Sequence, residues 1–359
     1  MRRGTLRAAA VGAALTGMLL LAVPAAPATA RPGSGSGTPV TSRCAGDIGH
    51  GTLTRHVVTN ALGSMTYYAY VPDTVRTRPG VVVHLHGANN DVRDVMCQSR
   101  LNEVARQEGF IAVYPQEDPG NGAQGIWDWG GSAYAGRSGR APSLLVALTR
   151  QVTAAHRADP RQVFVSGISA GGAMAVVAGA TAPDVFRGVA VEVGCMYAGL
   201  QCNPTTPYPN STSDPDVAAL EAYRAMGERA RRVPLLVSYG TADLIAALTD
   251  QGALVRQWLG TNDWADNGSR DQSVPQTAAA TRQGSTNGRT FTVTDWRDVN
   301  GRLLVQRYAI DGMSHAYAGG APLSPTDVST DPTGPNMRAV AWQFFRGQVL
   351  AGGGRTEAP

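Results

Sequence analysis

The residues of this chain that could do chemistry gather around one serine. Gly167-Ile168-Ser169-Ala170-Gly171 sets Ser169 at the centre of a Gly-x-Ser-x-Gly pattern. A serine hydroxyl is a weak nucleophile at neutral pH. It needs a base within hydrogen-bond reach, and the base needs an orienting acid. The chain has six histidines. His315 stands in the Gly-flanked stretch Asp311-Gly312-Met313-Ser314-His315-Ala316-Tyr317-Ala318-Gly319-Gly320, just past an apolar strand-like run, and is the candidate base. His84 falls inside a strand run and reads as a packed core residue. His156 ends a helical run, and His50 and His56 precede the expected sheet. Asp243 follows Leu235-Leu236-Val237-Ser238-Tyr239 and the small residues Gly240-Thr241-Ala242, so it too sits where a strand gives way to a loop. It is the candidate orienting acid, with Asp250 as the alternative. The chemistry these residues fit is acyl transfer through a serine-bound intermediate. The oxyanion donors would be the N–H of Ala170 and, behind His86-Gly87, that of Ala88.

Each of these residues needs an element to hold it. Val163-Phe164-Val165 is a short β-branched and aromatic run that predicts a buried strand, and Ala173 to Ala180 is a small apolar run that predicts a close-packed helix. A strand that turns straight into a helix forces its middle residue into a strained backbone conformation. Gly167 and Gly171, with no Cβ, let the flanking segments approach. Further strands are predicted at Met65–Val71 (an antiparallel sheet edge), Val81–Leu85, Phe110–Tyr114 (stopped by Pro115), Gly188–Val193, Leu235–Tyr239, Thr290–Trp296 and Leu303–Ile310, the last two joined by an Asn300-Gly301 turn. Helices are predicted over Val92–Gln107, Ser143–His156, Val217–Arg231 and Gln251–Leu259. Alternating strands and helices imply an α/β domain with a mostly parallel sheet covered on both faces, its functional residues at the carboxyl ends of the strands. The order Ser169, Asp243, His315 is the one used by the α/β-hydrolase fold.

The first residues read as an export signal. Arg2, Arg3 and Arg7 precede an apolar run from Ala8 to Val23, and Ala28-Thr29-Ala30 offers a small-residue cleavage site. The expected organisation is a signal peptide over 1–30, a flexible leader over 31–43, a catalytic domain over 44–350 and a disordered tail over 351–359, with no binding module after Leu350. Removing the three signal arginines lowers the formal charge from +4 to +1. With no basic block in the chain, neither nucleic acid nor a membrane surface is an expected partner. The chain has no lysine, which excludes lysine chemistry. Its four cysteines, Cys44, Cys97, Cys195 and Cys202, are an even count in an exported chain and point to two disulfides. Three pairings are possible. Cys195–Cys202 closes a short loop and leaves Cys44–Cys97 to tie the N-terminal segment to the core. No His or second Cys stands at ligand spacing around them, so no metal is expected, and no cofactor is implied. A monomer is expected, although no pattern fixes the oligomeric state.

Taken together, His86-Gly87, the run Val165 to Met174, Gly240-Thr241-Ala242-Asp243 and Gly312 to Gly320 resemble the polyhydroxybutyrate-depolymerase-like esterases, a group that overlaps the feruloyl and acetylxylan esterases of carbohydrate esterase family 1. Ile126-Trp127-Asp128-Trp129 resembles the aromatic segment that precedes the nucleophile in that family. The resemblance covers roughly Tyr67 to Phe345. Family members often carry Cys at the position of Ala88, and Trp-Pro where this chain has Tyr317-Ala318. His86, Trp127, Trp129 and Tyr317 are the expected pocket residues, with Tyr134 and the loop from Met196 to Asp216 as further walls; ordinary core or rim packing is the alternative for each aromatic, and a structural turn role or bracing of its own loop the alternative for His86.

The resemblance implies a secreted, extracellular serine esterase that hydrolyses carboxylic esters such as short-chain polyhydroxyalkanoate or other polyester oligomers. A feruloyl or acetylxylan esterase acting on plant polysaccharide is the alternative. A secreted serine peptidase or a non-catalytic carbohydrate-binding protein of the same fold fits less well. Such peptidases usually carry a propeller or lid domain, and a binding-only protein has no need of an intact Ser169, Asp243 and His315.

Overall fold

The computed structural model describes residues 37–44, 47, 50–118, 125–129, 136–199, 214–246 and 248–352, without the side chains of 247–250 and 351–352. The expected signal peptide, Tyr134, Cys202 and most of the Met196–Asp216 loop lie outside the described residues. In chain order the strands are β1 (Thr38–Pro39), β2 (Gly51–Asn60), β3 (Gly63–Pro72), β4 (Val81–Leu85), β5 (Ile111–Gln116), β6 (Val163–Ile168), β7 (Val189–Glu192), β8 (Leu235–Gly240), β9 (Ala280–Thr286), β10 (Arg289–Arg297), β11 (Leu303–Ile310), β12 (Tyr317–Ala318) and β13 (Thr330–Asp331). The helices are α1 (Val92–Ser99), α2 (Leu101–Glu108), α3 (Arg140–Ala155), α4 (Ala170–Thr181), α5 (Pro215–Met226), α6 (Leu248–Asn267) and α7 (Met337–Gly352).

One 11-stranded sheet runs in the order β1-β2-β3-β5-β4-β6-β7-β8-β11-β10-β9. From β5 through β11 the neighbours are parallel, and antiparallel strands extend the sheet at both ends. Period-two alternation sorts the central side chains onto two faces. Val81, Val83, Val165, Val191 and Val237 pack with Leu144 and Leu148 of α3, Met174 and Val177 of α4 and Trp258 of α6. Val82, Phe164, Ala190 and Leu236 pack with Met96 of α1, Val104 of α2 and Trp342 and Phe345 of α7. Both faces of these strands are covered, which is why their sequences read as unbroken apolar runs.

The structure departs from the expected elements in several places. β3 is not at the edge, because β2 and β1 lie outside it. Thr38 and Pro39, inside the expected leader, pair with Arg55 and Thr54 of β2. The helix expected over Val92–Gln107 is broken at Arg100, which adopts a left-handed conformation (φ 57°) while its N–H caps Cys97 O. Pro115 does not stop β5. It pairs with Tyr67 of β3 where β5 has run beyond its pairing with β4, so its missing N–H breaks no ladder on that side. Strand β9 was not expected at all: its side chains are almost all exposed, so Ala280–Thr286 shows no apolar alternation.

Cys44 and Cys97 form a disulfide across a sequence separation of 53, tying the N-terminal segment to the end of α1. Cys195 is also disulfide-bonded, and Cys202 lies outside the described residues. Closing a loop of 53 residues is worth about 4 kcal/mol in the chain-entropy model. A Cys44→Ala/Cys97→Ala variant should therefore show a clearly lower denaturation midpoint in chemical unfolding. An unchanged midpoint would mean that the β1–β2 pairing alone holds the segment.

Candidate active site

The turn between β6 and α4 carries Ser169 at φ 55°, ψ −122°, in a region that costs a non-glycine residue about 1–3 kcal/mol. The neighbours enforce it. A Cβ on Gly167 would lie 2.3 Å from Gly171 O, and one on Gly171 would lie 2.3 Å from both Leu85 O and His86 O. The motif's two glycines therefore press α4 onto β6 and onto the end of β4. Ser169 N–H donates to Glu192 O at the end of β7 (2.9 Å). Ala170 opens α4, so its N–H belongs to the first turn, where no intrahelical acceptor exists. The loop after β4 comes close, since a Cβ on Gly87 would lie 3.7 Å from Ser169 Cβ. The next residue on that loop, Ala88, is exposed.

Asp243 follows β8 and His315 follows β11, adjacent parallel strands. A Cβ on Gly240 would lie 1.9 Å from Met313 O, so these two loops pack backbone to backbone. His315 Nδ1 and Asp243 Oδ2 are 2.8 Å apart. The other carboxylate oxygen accepts the N–H groups of Ile245 and Ala246 at 2.8 and 2.9 Å. Burial pushes the Asp243 carboxyl up, but the hydrogen bond from His315 and the two amides outweigh it, and the net result is below the ordinary value. An ionised Asp243 accepting at both oxygens requires the proton on His315 Nδ1, which leaves Nε2 as the basic atom. Among the described residues no hydrogen bond joins that nitrogen to Ser169 Oγ. In unliganded enzymes such contacts are often long and tighten with substrate. A small apolar cluster beneath the site includes Ile168, Ala246 and Tyr317, each within three residues of Ser169, Asp243 or His315. The side chain of Asp250, at the start of α6, is not described.

Three expected pocket residues prove to be buried supports. His86 is fully buried. Its Nε2 accepts the N–H of Glu117 (3.0 Å), so the ring proton is on Nδ1 and is donated to Gly87 O (2.6 Å). Burial lowers its pKa to about 4, and the neutral ring braces the Gly87-Ala88 loop. Trp127 is buried, with its indole N–H on His86 O (2.9 Å). Tyr317 is buried too, and its hydroxyl is 3.1 Å from Nε2 of His84. These side chains are buried and offer a substrate no open surface; their polar tips are committed to His84 of β4 and to the backbone around His86. Trp129 is partly buried against the core. The sequence could not reveal Glu117, a carboxylate buried behind His86. Among the described residues no cluster of His, Cys, Asp and Glu could hold a metal ion, and no helix is long and apolar enough to cross a membrane.

The family model for "Esterase PHB depolymerase" matches residues 65–282. The chain belongs to this family. It is 27% identical over 285 residues to an acetylxylan esterase of Coprinopsis cinerea, covering 75% of this chain and 69% of that one. It is 26% identical over 292 residues to poly(3-hydroxyalkanoate) depolymerase C of Paucimonas lemoignei, covering 79% of this chain but only 63% of that protein. Among solved structures, the acetyl xylan esterase from Aspergillus awamori superposes with a TM-score of 0.61 at 21% identity, over 81% of this chain and 99% of that one. The fold is that of the α/β-hydrolase esterases.

Glu117 gives the site a pH signature in stability. Burial raises its pKa from 4.5 to about 7, against the pull of Arg140. Between those values the folded protein keeps a proton that the unfolded chain has released. Its contribution to stability is therefore full below pH 4.5 and is lost as pH rises toward about 7. Denaturation midpoints measured across this window should fall less steeply with pH in Glu117→Gln than in the parent protein. Equal slopes would show that Glu117 is ionised throughout.

Proposed function

We propose that this protein is an exported serine esterase that cleaves short-chain polyhydroxyalkanoate or related polyester oligomers through an acyl-enzyme on Ser169. The observation that carries the reading is the Asp243–His315 hydrogen bond, formed at the same edge of the sheet as the strained Ser169 turn. Ser169 Oγ attacks the ester carbonyl while His315 Nε2 takes its proton. The amides of Ala170 and Ala88 receive the oxyanion. The imidazolium, held by Asp243, returns the proton to the departing alcohol. Water, activated by the same nitrogen, then releases the acid and regenerates the serine. Export rests on the N-terminal signal pattern and on the Cys44–Cys97 disulfide.

The substrate class rests on the rim. Leu244 and Ile245, directly after the orienting acid, are 95% and 75% exposed. Aliphatic side chains beside the reacting centre suit an apolar polyester chain better than a hydroxyl-rich glycan. Acetyl groups on xylan are the second reading, favoured by the similarity to the Coprinopsis acetylxylan esterase.

Ser169→Ala should lose about 10⁶-fold in kcat, and phenylmethylsulfonyl fluoride should label Ser169 in the parent; near-normal turnover by the variant would sink the reading. Asp243→Asn should drop kcat by up to about 10⁴-fold, while Asp250→Asn should stay close to the parent. Rates on 3-hydroxybutyrate oligomers, methyl ferulate and acetylated xylo-oligomers at equal ester concentration decide the substrate. A clear preference for the acetylated sugar would establish the second reading.

A further inference from the structure

On the α7 side of the sheet, β6 and β7 carry polar residues near their carboxyl ends. Glu192 of β7 and Arg338, in the first turn of α7, form a buried ion pair, their side chains 10% and 3% exposed. Arg338 Nη1 lies 2.7 Å from each carboxylate oxygen. Its Nη2 donates to Ala318 O, and its guanidinium carbon sits 5.4 Å from the centroid of the Tyr317 ring. Ala318 and Tyr317 directly follow the His315 turn. Glu192 in turn uses its carbonyl to accept the N–H of Ser169. A second connection closes the ring: Tyr317 Oη meets His84 Nε2, and His84 Nδ1 meets Ser166 Oγ at 2.9 Å, on the strand that delivers Ser169.

We propose that Glu192 and Arg338 are positioning residues, which fix the distance between the nucleophile turn and the base loop by holding Ser169 N–H at one end and the Tyr317-Ala318 backbone at the other. The proposal rests on the acyl-enzyme reading of the site. Stability alone gives no reason for the pair. Replacing a buried ion pair by apolar residues of similar volume is often neutral or stabilising, and a cation in the first turn of a helix opposes the macrodipole. What the pair supplies is direction. A planar fork spans a carboxylate and a carbonyl at once, and a point charge cannot do this equally well. Neither residue reaches the reacting atoms, so their effect must pass through Ser169 and His315.

The test compares the parent with Arg338→Lys and with the double variant Glu192→Gln/Arg338→Met, which removes both charges and leaves no buried ion unpaired. Three quantities are read: melting temperature, kcat and KM on a short p-nitrophenyl ester, and the second-order rate of Ser169 labelling by phenylmethylsulfonyl fluoride. The double variant should melt within a few degrees of the parent, yet lose about 10–100-fold in both kcat and labelling rate, the scale of an ångström's misplacement. Its KM should stay within about threefold. Arg338→Lys, keeping the charge without the fork, should be slowed by an intermediate factor. Parental kcat and labelling in the double variant would overturn the proposal. So would loss of activity only in step with a collapse in melting temperature, with Arg338→Lys at the parental rate, because that describes a structural pair. Absence of Ser169 labelling in the parent itself would instead overturn the acyl-enzyme reading.

Discussion

The strained, positive-φ backbone of Ser169 is the constraint around which the molecule is arranged. Such a conformation persists only where its surroundings over-determine it. Here the surroundings are a helix buried along its whole length, glycines in contact with the carbonyls of β4 and of the turn itself, and the hydrogen bond to Glu192 O. The same contacts that strain the serine also bring the Gly87-Ala88 loop beside it. On the proposed reading, nucleophile and oxyanion donors would thus be set by one piece of backbone packing rather than by two separate devices. Because the packing partners are strands at the centre of the parallel sheet, the geometry rests on regular elements rather than on loops alone.

Burial sorts the histidines by task. His84 is pushed to about 3 and His86 to about 4, chiefly by desolvation. Both stay neutral across ordinary pH, and both use their two ring nitrogens in hydrogen bonds. They act as fixed dipoles: His84 ties β6 to β12, and His86 holds the Gly87 loop. His315, with its side chain 18% exposed, is the one beside a carboxylate that is itself fully buried. On the proposed acyl-enzyme reading, this leaves His315, not His84 or His86, as the imidazole for proton transfer.

The parts of the fold legible in the sequence were those in which one physical signal dominated. β4, β6 and β8 are buried on both faces and read as apolar runs. β11 matches its expected bounds, Leu303–Ile310. The Ser169 turn announced itself through its glycines, and Asp243 and His315 through small-residue loops just past strands. What stayed hidden depended on neighbours. The break at Arg100 is a choice between two backbone states that helical periodicity does not register. The length of α6, Leu248–Asn267, exceeds the expected Gln251–Leu259 because its polar remainder, including Asn262 and Asp263, is buried through hydrogen bonds rather than apolar contact. For Tyr317 and Trp127 the sequence leaves pocket and core open alike, since an aromatic with a polar tip suits either a wet rim or a satisfied core. Only the partners of that tip distinguish the two.

That distinction separates the machinery from the specificity. His86, Trp127 and Tyr317 face inward and serve the loops that carry Ala88 and His315. On the proposed reading, the surface a substrate meets is left to residues such as Leu244 and Ile245, whose side chains reach solvent while the N–H of Ile245 is tied to Asp243. On that reading, a change in those side chains would alter what binds without disturbing the amide of Ile245 that holds the acid. Relatives with names as different as acetylxylan esterase and polyhydroxyalkanoate depolymerase are what such a division would allow: buried backbone geometry would set the chemistry, and exposed loop positions that the geometry does not depend on would set the choice of ester.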